Sequence, residues 1–91
     1  MSESHEEKVG RLSHDIGWRA RVRACMLFYN GETVSQYTAL QAVGIDEKKA
    51  KELSGINVIW AWYQDFLKIG ILRIAERVNK EGVATKKIRM C

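Results

Sequence analysis

Gly70 divides the most constraining stretch of the chain, SGINVIWAWYQDFLKIGILRI from Ser54 to Ile74, into an aromatic-rich helix and an apolar strand. In the helical part Ile59, Trp62/Tyr63, Phe66 and Ile69 recur every three or four residues, which places them on one face and presses that face against a core. The remainder of the chain must supply that core.

The opposite stripe has a different character. Asn57, Ala61, Gln64 and Lys68 present two amides, a small residue and a cation. Asn and Gln pair bidentately with adenine in a major groove and Lys reaches guanine or phosphate, so the stripe suits a helix lying in DNA. A polar outer stripe is equally what any surface helix carries, and both readings stand at this point.

Upstream, residues 1–12 are polar and glutamate-rich, and we expect a flexible segment. From Ser13, a candidate N-cap, one helix is expected through HDIGWRARVRACMLFYN to a stop at Gly31. Its apolar face is Trp18, Val22, Cys25, Met26 and Tyr29; Arg19 and Arg23 share another face. Leu27 and Phe28 add more apolar surface than one small core uses, which points to a dimer contact along helix 13–30. ETVSQYTALQAVG then reads as a helix capped by Thr33 or Ser35, with Leu40, Val43 and Ile45 inward and Gly44 at the turn. A helix-turn-helix template centred on Gly44 puts Ala39, Val43, Ile45, Ala50 and Leu53 at its apolar positions, but Leu40 where a small residue belongs. DEKKAKEL is one or two helical turns opened by Asp46, its mixed charges typical of a solvated face.

For ILRIAERVNKEGVATKKIRMC the choice lies between a helix and a hairpin, since Leu72, Ala75 and Val78 also fit a helical stripe. A hairpin with the three-residue loop Lys80-Glu81-Gly82 sets Leu72 opposite Met90, Ile74 opposite Ile88, Glu76 opposite Lys86 and Val78 opposite Ala84. Arg73, Arg77, Lys87 and Arg89 then share the other face, with Lys80 at the tip. The expected fold class is therefore mostly α with a C-terminal β-hairpin (α+β), in a single domain over 13–91.

The formal net charge is +4, and its distribution says more than its size. Residues 16–31 hold three basic and no acidic side chains and 69–91 hold six against two, whereas the other segments are acidic or near neutral. Basic ends suggest two phosphate-contacting zones. Cys25 and Cys91 make no metal spacing with each other or with His5 and His14, so both read as free thiols. Without a basic start and apolar h-region no secretory signal is expected, and the longest apolar run, VIWAWY, cannot span a membrane. A cytoplasmic, nucleoid-associated location follows.

The order helix, short β-type segment (Glu32 to Val34), helix, helix, hairpin resembles winged helix-turn-helix domains over residues 15–90, with FLKIGILRI similar to their join between recognition helix and wing. More narrowly, Trp60, Tyr63, Phe66, Gly70 and Ile71 resemble the aromatic-x-x-Leu-x-x-Leu-x-x-x-Gly-Leu pattern of PadR-like repressors. Trp60 stands where that family has tyrosine, Ala61 where proline commonly follows, and no C-terminal dimerisation helix follows the wing in this sequence. The resemblance implies binding of double-stranded DNA by a homodimer, here through helix 13–30.

The functional expectation is a sequence-specific DNA-binding protein, most simply a small transcriptional regulator. Ser54, Asn57 and Gln64 are the base-reading candidates. Lys48, Lys49, Lys68, Arg73, Arg77 and Lys80 would contact phosphates, and Ser35, Gln36 and Tyr37 would clamp the adjacent backbone. A plasmid or viral DNA partition protein is one alternative. A protein-interaction module anchored by Trp60, Trp62 and Tyr63 is the other, with a protein partner in place of DNA. With no Gly-rich phosphate loop, paired-histidine metal motif or nucleophile elbow, no enzyme, catalytic residue, metal site or cofactor is expected.

Overall fold

A computed structural model of the protein describes residues 2–80 and 83–91, with side chains described outside 75–86. Among them lie five helices and one hairpin: α1 (His5–Ser13), α2 (Trp18–Tyr29), α3 (Gln36–Ala42), α4 (Glu47–Gly55), α5 (Val58–Lys68), and the antiparallel strands β1 (Leu72–Lys80) and β2 (Val83–Met90). The architecture is mostly helical with a small antiparallel sheet, as the α+β expectation requires.

Local chemistry sets the helix boundaries. Ser35 and Asp46 cap α3 and α4, their side-chain oxygens accepting from the Thr38 and Lys49 amides. Gly44 (φ +93°) and Gly70 (φ +83°) take the left-handed position after α3 and α5. In each case the glycine N–H and the next one reach back to the last turn: Gly44 to Gln41 and Ile45 to Leu40, Gly70 to Leu67 and Ile71 to Phe66. The returning Ile45 and Ile71 pack against the core as the chain leaves each helix.

Helix α5 is the hub, packing on α1, α2, α4 and β1. Val58, Ile59, Trp62, Tyr63 and Phe66 are buried on it, against Val22, Ala24 and Cys25 of α2, Leu40 of α3, Leu53 of α4, and Leu72 and Ile88 of the hairpin. Burying a side chain the size of Trp62 or Phe66 contributes about 2–3 kcal/mol, so α5 holds the domain together more than any other element. Ile69, expected inward, is 65% exposed because the helix has already ended beside it.

The structure corrects several expectations. Residues 5–13 are helical rather than a loose segment: Ser4 Oγ caps the helix, accepting from the Glu7 amide and donating to the Glu7 carboxylate. Ser13 therefore ends α1 instead of opening the next helix, which starts at Trp18 behind the extended Gly17. The helix expected over 13–30 is thus shortened to α2, with a turn over 14–17 between it and α1. Helix α5 likewise begins at Val58 and not at Ser54, since Asn57 takes a left-handed conformation (φ +56°) that ends α4.

Glu32–Val34 forms a bend, not a strand. In its place the Asn30 side chain donates from Nδ2 to the Ile88 carbonyl (3.1 Å) and accepts at Oδ1 from the Ile88 amide (2.8 Å). One amide side chain thereby imitates a neighbouring strand and fastens β2 to the end of α2. In the hairpin, Leu72 faces Met90 and Ile74 faces Ile88 as expected, but the ladder slips between Ile74 and Glu76. Glu76 then faces Lys87, Arg77 faces Lys86, Val78 faces Thr85, and Lys80 pairs with Val83 within the ladder. An extra residue at Ala75 breaks the alternation, so Arg73 and Arg77 do not continue one register series. The predicted turn residues Glu81 and Gly82 lie outside the described residues.

Candidate nucleic-acid interface

Helices α4 and α5 meet at a two-residue joint, Ile56-Asn57, and α5 passes through Gly70 directly into β1. The joint is built from polar groups. Asn57 makes no side-chain cap to α5; Gln36 of α3 provides one, accepting from the Ile59 amide at 3.2 Å while its Nε2 donates to Asn57 Oδ1. Asn tolerates the left-handed conformation better than other residues with a side chain. The identity of Asn57 is therefore accounted for by the joint itself, and its amide oxygen and Gln36 are already engaged with each other.

The other amide and the cation of the outer stripe, Gln64 and Lys68, are exposed, as are Trp60 and Asp65. They line a cleft of about 590 Å³ whose opposite wall is α1, with His5, Glu6, Gly10 and His14. Helix α1 is fastened over this face at both ends. The His5 Nε2–H donates to the Ile56 carbonyl (2.7 Å), the Trp62 indole N–H donates to Ser13 Oγ (3.1 Å), and Val9 is buried between them. At the floor, the Arg21 guanidinium lies 5.7 Å from the Phe66 ring, its buried Nε without a hydrogen bond among the described residues. Sequence reasoning missed this cover, although the capping-box spacing of Ser4 and Glu7 was a readable signal for a helix there.

The other sequence-derived positions divide into engaged and free. Ser35 is the α3 cap, Tyr37 packs half-buried against the core, and Ser54 Oγ donates to the Lys51 carbonyl within α4. Lys49 donates to both carboxylate oxygens of Asp15, and that ammonium holds the Asp15 carboxyl below its usual range. Lys48 is exposed and pairs with no acidic residue among the described residues. Arg73 is exposed and registered directly opposite Arg89, itself exposed. Lys87 is exposed next to them and donates to the Asn30 carbonyl at 3.0 Å. The side chains of Arg77 and Lys80 lie outside the described residues.

Of the three aromatic residues expected as possible partner anchors, Trp62 and Tyr63 are core, and Trp60 alone is half-exposed. Tyr63 stacks on Tyr29, ring centroids 4.4 Å apart. Burial pushes the Cys25 thiol and the Tyr29 phenol up to about 12 each, so Cys25 stays a neutral thiol donating to the Ile59 carbonyl. Among the described residues no helix is long and apolar enough to cross a membrane. No protein-family model matches the chain, and neither a curated protein nor a solved structure does.

Proposed function

We propose that the chain is a winged helix-turn-helix domain that binds double-stranded DNA as a homodimer, with α5 as the recognition helix, the hairpin as the wing, and transcriptional regulation as the role. The observation that carries the reading is the placement of Arg73 opposite Arg89 on the first rungs after Gly70. Like charges set directly across a ladder destabilise it by about 0.2–1 kcal/mol, and a phosphate backbone laid along that face converts the repulsion into attraction. Lys87 extends the same patch, and Lys68 lies two residues before Gly70 at the end of α5.

In this arrangement the hairpin supplies much of the affinity and α5 the base preference. With Asn57 engaged by Gln36, base reading falls to Gln64 and Lys68, and these reach a groove only past α1. A DNA partition role uses the same contacts and differs in how dimers assemble along the duplex.

The double substitution Arg73→Ala/Arg89→Ala is expected to weaken binding to every duplex alike and to flatten the salt dependence by about two charges. Gln64→Ala is expected to relax preference at one base by roughly 1–3 kcal/mol. Duplex affinity unchanged by either variant contradicts the assignment. A second reading, a protein-interaction module, is favoured by the half-exposed Trp60 beside the exposed α5 stripe; it predicts a partner whose binding tolerates salt and is lost in Trp60→Ala.

A further inference from the structure

An apolar groove of about 680 Å³ lies along α2, away from the α1–α5 cleft. Trp18, Val22, Met26 and Leu27 form its floor together with Met90 from the end of β2. Trp18 is 45% exposed and Met90 54%, a costly display of large apolar side chains for a chain of 91 residues. Three charged residues complete its lining. Arg19 sits in the first turn of α2, with its guanidinium 5.4 Å from the Trp18 ring, and Arg23 sits one turn further on. Glu32 lies past the other end of the helix, which stops at Tyr29. All three are exposed.

A two-fold contact requires a surface complementary to itself, because each residue i that meets j must also be met by j. An apolar floor with a cation at one end and a carboxylate at the other satisfies that requirement when the two helices run antiparallel. We infer that this groove is the seat of a second copy of the chain, with α2 packed antiparallel on α2 of the partner. Arg19 of one protomer then faces Glu32 of the partner subunit, twice per dimer, while Trp18 and Met90 leave water. The inference rests on the homodimer part of the proposed function and places its contact: α2 with the end of the hairpin, and no part of α1.

Sedimentation velocity of the full chain over a concentration series, without DNA, tests it. The wild type is expected to move from monomer to dimer with rising concentration. Arg19→Glu and Glu32→Arg are each expected to weaken association about tenfold or more, equivalent to about 1.4 kcal/mol, and the double variant to recover most of that loss. All three positions are exposed, so circular dichroism of the variants should match the wild type, and Trp18→Ala gives an independent loss of association without a charge change. A wild type that stays monomeric at every concentration overturns the inference, as does a dimer indifferent to Trp18→Ala and to both charge reversals. Because DNA is absent, a dimer that fails to bind duplexes leaves this contact standing and removes the DNA reading, whereas a DNA-binding monomer does the reverse.

Discussion

Helices α2 and α5 are the two longest elements of the helical part, both are rich in aromatic residues, and each exposes one tryptophan while packing its other aromatic residues against the core. In α5 Trp62, Tyr63 and Phe66 are buried and Trp60 is half-exposed; in α2 Phe28 and Tyr29 pack against the core and Trp18 is nearly half in water. The two exposed tryptophans differ in what lies beside them. Trp60 lines the cleft whose opposite wall is α1, whereas Trp18 lines the apolar groove of α2 together with Met90. Trp62 therefore reads as glue for the fold, and Trp18 as surface for a partner.

Replacing the two tryptophans separates those roles most sharply. Trp62→Ala should cost about 3–5 kcal/mol in denaturant unfolding, since it removes a buried indole and leaves the α1 anchor Ser13 without its donor. Trp18→Ala should change monomer stability by less than about 1 kcal/mol. Comparable losses in the two variants would show that the exposed face of α2 is part of the core.

The two asparagines at helix ends offer a finer contrast. Asn30 clasps Ile88 by both backbone groups, so Asn30→Ala should cost roughly 1–3 kcal/mol through the buried amide it leaves unmatched. Asn57 owes its identity chiefly to a left-handed φ, so Asn57→Gly should be nearly neutral and Asn57→Ala should cost about 1 kcal/mol. Unfolding curves with Asn57→Gly as damaging as Asn57→Ala would assign the effect to the Gln36 contact instead.

A smaller effect separates the buried side of α2 from its exposed side. Cys25 and Tyr29 both titrate higher in the folded chain than in the unfolded one, so the native state holds its protons longer. Stability should be fully present below the ordinary thiol and phenol values and should decline as pH rises from about 9 toward 12. Cys25→Ala should flatten the first part of that decline, and thermal melts between pH 8 and 11 provide the check.

What could be read from the sequence was mainly what is decided locally. Ser35, Asp46, Gly44 and Gly70 announce helix starts and stops within a few residues, and the structure places all four at those positions. The α5 core face was legible from its period. The hairpin pairs nearest α5 were legible because Leu72, Ile74 and Ile88 alternate. The slip at Ala75 was not, because alanine suits either face and gives no register signal. Non-local polar contacts were equally silent: Asn30 meets Ile88 across most of the chain, and Gln36 meets Asn57 from another helix. The second of these contacts turns a candidate base reader, Asn57, and a candidate phosphate clamp, Gln36, into a structural joint. Helix α1 was masked by its polar composition, although its cap was written in Ser4 and Glu7.

The central claim is that the cationic hairpin face beside α5 engages a polyanion. Fluorescence anisotropy of the full chain titrated onto random-sequence duplex DNA across a salt series tests it most directly. Binding in the range of about 1–100 μM at physiological salt, with the logarithm of affinity falling linearly and steeply as the logarithm of salt rises, is the predicted result. Absence of binding at low salt, or binding that does not change with salt, would contradict it.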